Sequence, residues 1–204
     1  MTMNSFDNDK SYTVKNSKFA ADVLKYVFNG AVVFSWEKDN QKNSPVIIRV
    51  LDRVGIDLTM FHEGTVTGIS SRCFRKISKR GYTVTIREFR KEKPAEVHFL
   101  RKGLKRKGTL IADLNIQTYV DSSGKSAVVI LMKNADLIRY LDSQKNEDIR
   151  RFTDKDGVTF ISVRWLDLLN AGVDFQLFKV DSRSVTELDK FSFLQNKKIR
   201  TTAD

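Results

Sequence analysis

The chain has 204 residues, 41% of them hydrophobic, and carries 36 Lys and Arg against 25 Asp and Glu, a formal net charge of +11. That apolar content suffices for one large domain or two small ones. No apolar run approaches the ~18 residues of a bilayer span and no charged-then-apolar leader pattern opens the sequence, so neither a membrane nor an exported protein is expected.

In chain order, residues 1–16 are polar and without period and read as a flexible arm. Phe19, Val23, Leu24, Val27 and Phe28 recur at helical spacing after the N-cap Ser17, and Asn29 and Gly30 end that helix. Ala31 to Trp36 and Val46 to Leu51 read as strands around a loop closed by Pro45. After a loop-like stretch from Gly64 to Gly68, Ser70 and Ser71 cap an expected helix over Arg72 to Arg80, ended by Gly81. Strands are expected at Tyr82 to Phe89 and Ala95 to Leu100, followed by the basic turn RKGLKRKG.

Thr109 to Val120 and Lys125 to Met132 form an antiparallel pair joined by Asp121, Ser122, Ser123 and Gly124, which carry the composition of a tight turn. A helix at Ala135 to Ser143, a strand at Val158 to Val163, a helix at Trp165 to Asn170 and a strand at Val173 to Val180 complete an α+β chain. Its sheet is expected to be mixed or antiparallel, flanked by helices. The domain runs over 17–182, any junction between lobes falls near Gly108, and 183–204 is a C-terminal tail. In that tail Phe191, Phe193 and Leu194 beside Lys197, Lys198 and Arg200 suggest a contact with a second copy or a protein partner.

The positive charge is not spread evenly. Residues 72–107 hold 14 basic groups against Glu88, Glu92 and Glu96, so this window carries the whole excess and the remainder of the chain is neutral. Such a field repels itself unless a polyanion is its neighbour, and nucleic acid is the commonest one. On a helix, Arg72, Arg75, Lys76, Lys79 and Arg80 share one face, and Arg101, Lys102, Lys105, Arg106 and Lys107 crowd the turn that follows. These are backbone-positioning groups rather than base readers. DNA is the first candidate partner and RNA the second. Cys73 is the one cysteine, so no internal disulfide forms; His62 and His98 are too distant to complete a zinc set, and a reducing intracellular setting, cytoplasmic or nucleoid-associated, is expected. No GxGxxG or GxxxxGK[ST] run is present, so nucleotide-driven chemistry has no support.

The stretches SSRCFRKISKRGYTVTIREF, GLKRKGTLIAD and GKSAVVILMKNAD follow one another in an order that resembles the core of PD-(D/E)XK nucleases, most closely the endonuclease subunit of heteromeric transposases. In that group a strand carries a metal-binding Asp, a glycine turn follows, and the next strand ends in an acidic residue, one spacer and Lys. The resemblance implies a restriction-endonuclease-like core, with Asp113 as the metal-binding position and Lys133 as the final lysine. Leu131 stands where the second carboxylate belongs, Arg72 and Cys73 stand where a third acidic group is usual, and Glu63, Glu88 and Glu96 are the remaining carboxylates nearby.

The expectation is therefore a nucleic-acid-binding protein of nuclease-like fold without its own catalysis or cofactor. A Mg²⁺-dependent endonuclease using Asp113 and Lys133 is the enzyme alternative. A phage or mobile-element regulatory or assembly protein, acting through protein contacts, is the third reading.

Overall fold

The computed structural model describes residues 5–36, 50–51, 54–75, 81–106 and 110–200, with the side chains of 5–11, 13, 14 and 196–200 outside the description. The first helix, α1 (Ser5–Val27), begins well before Ser17, so residues 5–16, read as an arm, continue it. Strands β1 (Val32–Ser35), β2 (Leu58–His62) and β3 (Thr65–Phe74) form an antiparallel meander. Of the strand expected at Val46 to Leu51, only Val50 and Leu51 are described, and they are helical.

The helix expected at Arg72 to Arg80 is contradicted over its first turn, because Arg72, Cys73 and Phe74 lie in β3; residues 76–80 fall outside the described residues. Pairing with two neighbours overrides the helical spacing of the cations. Next come β4 (Thr83–Arg90) and the short β5 (Lys93–Pro94). The expected strand at Ala95 to Leu100 is instead helix α2 (Glu96–Leu104), which turns Val97, Leu100 and Gly103 inward at a spacing of three.

The expected hairpin is present as β6 (Leu114–Val120) and β7 (Ala127–Lys133), followed by α3 (Asn134–Ser143). Asp121 accepts from Ser123, Ser126 and the Lys125 N–H, which closes the turn between them. The chain ends with β8 (Arg151–Thr153), β9 (Val158–Arg164), α4 (Trp165–Asn170), β10 (Gln176–Val180), β11 (Val185–Leu188) and α5 (Lys190–Arg200).

Two sheets result. The larger has seven strands in the order β1-β2-β3-β6-β7-β10-β11, in which β3 and β6 run parallel and all other neighbours antiparallel. The smaller is antiparallel, in the order β5-β4-β9-β8, and is assembled from two excursions, one between β3 and β6 and one between β7 and β10. Helix α1 covers one face of the large sheet, burying Phe19, Val23 and Leu24 against Leu58, Ile69, Ile116, Val129 and Phe178. The other face, the small sheet and the remaining helices share a second core around Val97, Leu100, Tyr119, Ile161, Trp165 and Leu177. The tail is part of this fold, since β11 pairs with β10 and Leu194 is buried in that core.

The two sheets meet in an unusual way. Because β5 pairs with β4 only at Phe89 and Arg90, no strand among the described residues lies beside the edge of β4 from Thr83 to Arg87. Side chains of the large sheet and α2 take that strand's place. The Tyr119 hydroxyl accepts from the Thr83 N–H (3.1 Å) and donates to the Thr83 carbonyl (2.9 Å). The Gln117 amide does the same at Thr85, accepting at 2.9 Å and donating at 2.7 Å. At Arg87 the N–H reaches the Glu96 carboxylate at 3.4 Å. Asn115 and Asn134 extend the buried layer behind Gln117.

An unpaired buried polar group costs about 1–3 kcal/mol, so Tyr119→Phe is expected to lose about that much. Gln117→Leu, which orphans the Thr85 N–H and leaves its carbonyl to Arg72 alone, should lose a similar amount. At roughly 2–4 °C per kcal/mol for a chain of this size, thermal unfolding resolves both variants. Unchanged melting temperatures would mean that water satisfies the edge.

Candidate functional site

The cations expected to make one stripe are divided among different tasks. Arg72 points into the interface between the sheets, where Nη2 binds the Glu96 carboxylate at 2.7 Å and Nε donates to the Thr85 carbonyl at 3.2 Å. Arg75 lies over the Tyr12 ring, 4.4 Å from its centroid. Arg101 is paired with Asp142 at 2.7 Å. Lys102, Lys105 and Arg106 are exposed at the end of α2, whereas Lys76, Lys79, Arg80 and Lys107 lie outside the described residues. A helical face shared by Arg72 and Arg75 is therefore corrected: Arg72 lies in β3 and Arg75 in the bend just after it.

Asp113 precedes β6 on the surface, its N–H donating to the Gly68 carbonyl at 2.8 Å, and burial holds its carboxyl above the ordinary range. Lys133 closes β7 with its side chain exposed and is paired in register with Leu114, so the two residues sit at one end of the hairpin. No carboxylate accompanies them from β7, because Leu131 is buried in the core under α1. Glu88 is likewise committed, holding Arg151 through two contacts of 2.6 and 3.1 Å. Among the described residues no group of three His, Cys, Asp or Glu side chains could hold a metal ion.

A different constellation comes together where β2, β3, β4 and α2 meet. In the β2–β3 hairpin Leu58 is opposite Ile69, and the Asp57 N–H donates to the Ile69 carbonyl. The Asp57 carboxylate then accepts the Ser71 N–H at 2.8 Å. Ser70 and Arg72 alternate with Ile69 and Ser71 along β3, so their side chains leave the face opposite α1. There the Ser70 hydroxyl donates to Glu96, which also accepts from Arg72 and has Arg87 Nε at 3.5 Å.

Glu96 opens α2, only 1% exposed, and packs against Gly55: a Cβ there would meet Glu96 Cγ at 2.6 Å. Gly55 also has φ +78°, a conformation that favours glycine.

The cluster contains two carboxylates and two guanidiniums. Burial alone pushes the Glu96 carboxyl up, but Arg72, Arg87 and the Ser70 hydroxyl outweigh it and hold the group below its usual range. For Asp57 burial wins. It pushes the carboxyl up to about 6 against the pull of Arg87, Arg72 and the Ser71 N–H, with Glu96 adding to the rise. At neutral pH the four charges cancel, and below about 6 protonation of Asp57 leaves the cluster cationic.

Asp57, Ser70 and Arg87 escaped sequence reasoning, and Glu96 appeared there only as a nearby carboxylate. The signal that could have found Asp57 and Ser70 is the run IDLTMFHEGTVTGISSR, in which an Asp opens an alternating segment, a glycine turn follows, and a basic residue sits two after a small polar one. No helix among the described residues is long and apolar enough to cross a membrane. No family model, curated protein or solved structure matches this chain.

The opposite shifts of the two carboxyls separate by pH. The raised Asp57 group contributes stability that is full below its unfolded value near 4 and lost as pH rises through about 6. Lowered Glu96 contributes stability above the ordinary Glu range and loses it as pH falls. Asp57→Asn should therefore match or exceed the wild-type melting temperature at neutral pH and flatten its rise towards mild acid. Glu96→Gln, which strands two guanidiniums, should cost about 3–5 kcal/mol at neutral pH. Melts at mildly acidic and neutral pH check both; an Asp57→Asn loss at neutral pH as large as that of Glu96→Gln contradicts this account.

Proposed function

We propose that this chain is a nucleic-acid-binding protein built on a restriction-endonuclease-like core, which holds a phosphate backbone without cutting it. The observation that carries the reading is the meeting of Asp57, Ser70 and Arg72 in the β2–β3 hairpin. They follow the nuclease order at a second location: an Asp at the start of a strand, a glycine turn at Gly64, then a strand with a polar residue, one spacer and a basic residue. The mixed large sheet, covered by α1 on one face and by α2 and the small sheet on the other, supports the same core.

Chemistry argues for binding rather than cleavage. Nuclease function requires acidic oxygens free to take Mg²⁺. Here a serine stands at the acidic position, and both Glu96 oxygens are engaged, one by Ser70 and the other by Arg72. Asp57 and Glu96 face as many guanidiniums as there are carboxylates, so a dication gains little from entering. The residues present do not fit the metal, and no cleavage step is assigned to them.

The charge balance favours a polyanion outside the cluster. With Glu96 and Glu88 buried in ion pairs, the positive excess of the 72–107 window falls to its exposed cations, which include Lys91, Lys93, Lys102, Lys105 and Arg106. If about six phosphates are neutralised, duplex affinity should drop about a thousandfold between about 50 and 200 mM salt. Replacing Lys102, Lys105 and Arg106 together by Ala should reduce the slope of log affinity against log salt by about 2–3. Anisotropy titrations test this, and absence of binding at low salt overturns the reading. Plasmid incubated with Mg²⁺ or Mn²⁺ is expected to stay intact; cutting that is lost in Asp57→Ala would restore the enzyme reading.

A further inference from the structure

The small sheet has one apolar face and one of different character. Val84, Ile86, Ile161 and Val163 enter the core. On the opposite face the register sets Arg87 across from Phe160, and Phe160 across from Phe152 on the edge strand β8. The two rings are stacked, with centroids 5.2 Å apart and planes inclined by 19°. Behind them the Arg72 guanidinium lies 5.3 Å from the Phe160 centroid, held there by Glu96 and the Thr85 carbonyl. A column of flat π groups thus starts at the ion cluster and ends in solvent at Phe152, which is 42% exposed.

We propose that Phe152 is the stacking platform for an unpaired nucleobase, so that the nucleic acid recognised at this face is single-stranded or locally opened. The inference rests on the nucleic-acid reading above and names the substrate class of that reading. A base has a planar face that continues the column whatever its identity, and base-on-aromatic stacking tolerates any sequence. An apolar protein segment is a poorer occupant, because Arg90, in register with Val158 two residues along β9 from Phe160, shares this face of the sheet.

Charge favours the same occupant. Arg90 pairs in register with Lys93 and with Val158, two residues along β9 from Phe160, about 7 Å at strand spacing. That is within the reach of a phosphate attached to a base stacked on Phe152. The Asp154 carboxylate at this end does not oppose an anion freely, since one oxygen accepts the N–H groups of Asp156 and Val158 at 2.9 Å each. Bases inside a duplex are already stacked on their neighbours and gain nothing here, whereas an unpaired base exchanges water for an aromatic face.

Fluorescence anisotropy with a labelled short oligothymidylate and with a blunt duplex, both at low salt, tests the platform. Phe152→Ala is expected to weaken oligothymidylate binding about tenfold while duplex binding changes less than about twofold; loss of the Phe160 stack lowers the melting temperature somewhat, so both titrations are run where the variant is shown to be folded. Phe152→Trp should keep wild-type affinity for the oligothymidylate and show indole quenching on binding. Equal losses for both ligands in Phe152→Ala, or none for oligothymidylate, overturn the stacking proposal and leave the backbone reading intact. If the wild-type protein binds neither ligand, both proposals fall together.

Discussion

The open edge of β4 is the constraint on which the arrangement depends. A strand end buried with free N–H and C=O groups is costly, and the usual remedy is another strand. This chain uses side chains: Tyr119 and Gln117 from β6 each bridge the N–H and C=O of one β4 residue, and Glu96 meets the next N–H. The spacing works because alternate residues of β6 share a face, as do Thr83, Thr85 and Arg87 along the β4 edge. One consequence is that the sheet face carrying Asn115, Gln117, Ser70 and Arg72 must be polar while largely enclosed. Another is that the small sheet cannot slide along the large one without breaking several bonds together.

The ion cluster grows out of that ladder. Once β4 is docked edge-on, Arg87 and Arg72 are brought to one carboxylate, and Glu96 has to be placed at the first residue of α2 to meet them. Gly55 leaves the room that its side chain occupies. Buried ion pairs add little net stability over an apolar substitute, yet losing one partner is severe. Their contribution here is to position: Glu96 and the Thr85 carbonyl fix the Arg72 guanidinium against Phe160. Lysine has no fork with which to meet a carboxylate, a carbonyl and a ring at once, so arginine at this position has a physical reason.

Local signals made part of this legible in the sequence. The β6–β7 hairpin, α3, β9 and α4 follow from a turn composition, a period and a glycine stop within a few residues of one another. Strand β3 did not, because it lies between two partners and spends one face on Ser70 and Arg72, so it lacks the alternation of apolar and polar residues that marks a half-buried strand. Arg72 near its end opens a run of cations at helical spacing, which suggested the wrong element. Helix α2 was obscured for a related reason: its first inward residue is Glu96, which an apolar period does not count. The charge window was legible as a sum but not as a surface, since pairing with Glu96 and Asp142 is a property of the folded chain.

The same geometry links the closed cluster to the exposed rings. Arg72 touches both, with Glu96 on one side and Phe160 on the other, so its position is common to the buried network and the solvent-facing column. A guanidinium whose charge is compensated from within still presents a flat, weakly hydrated plane to an aromatic neighbour. The exposed cations lie elsewhere, at the sheet end and at the end of α2, so the centre of the network serves to orient the rings. Under the function proposed above, charge and stacking would be supplied by different residues, the exposed lysines and arginines for the one and the ring of Phe152 for the other.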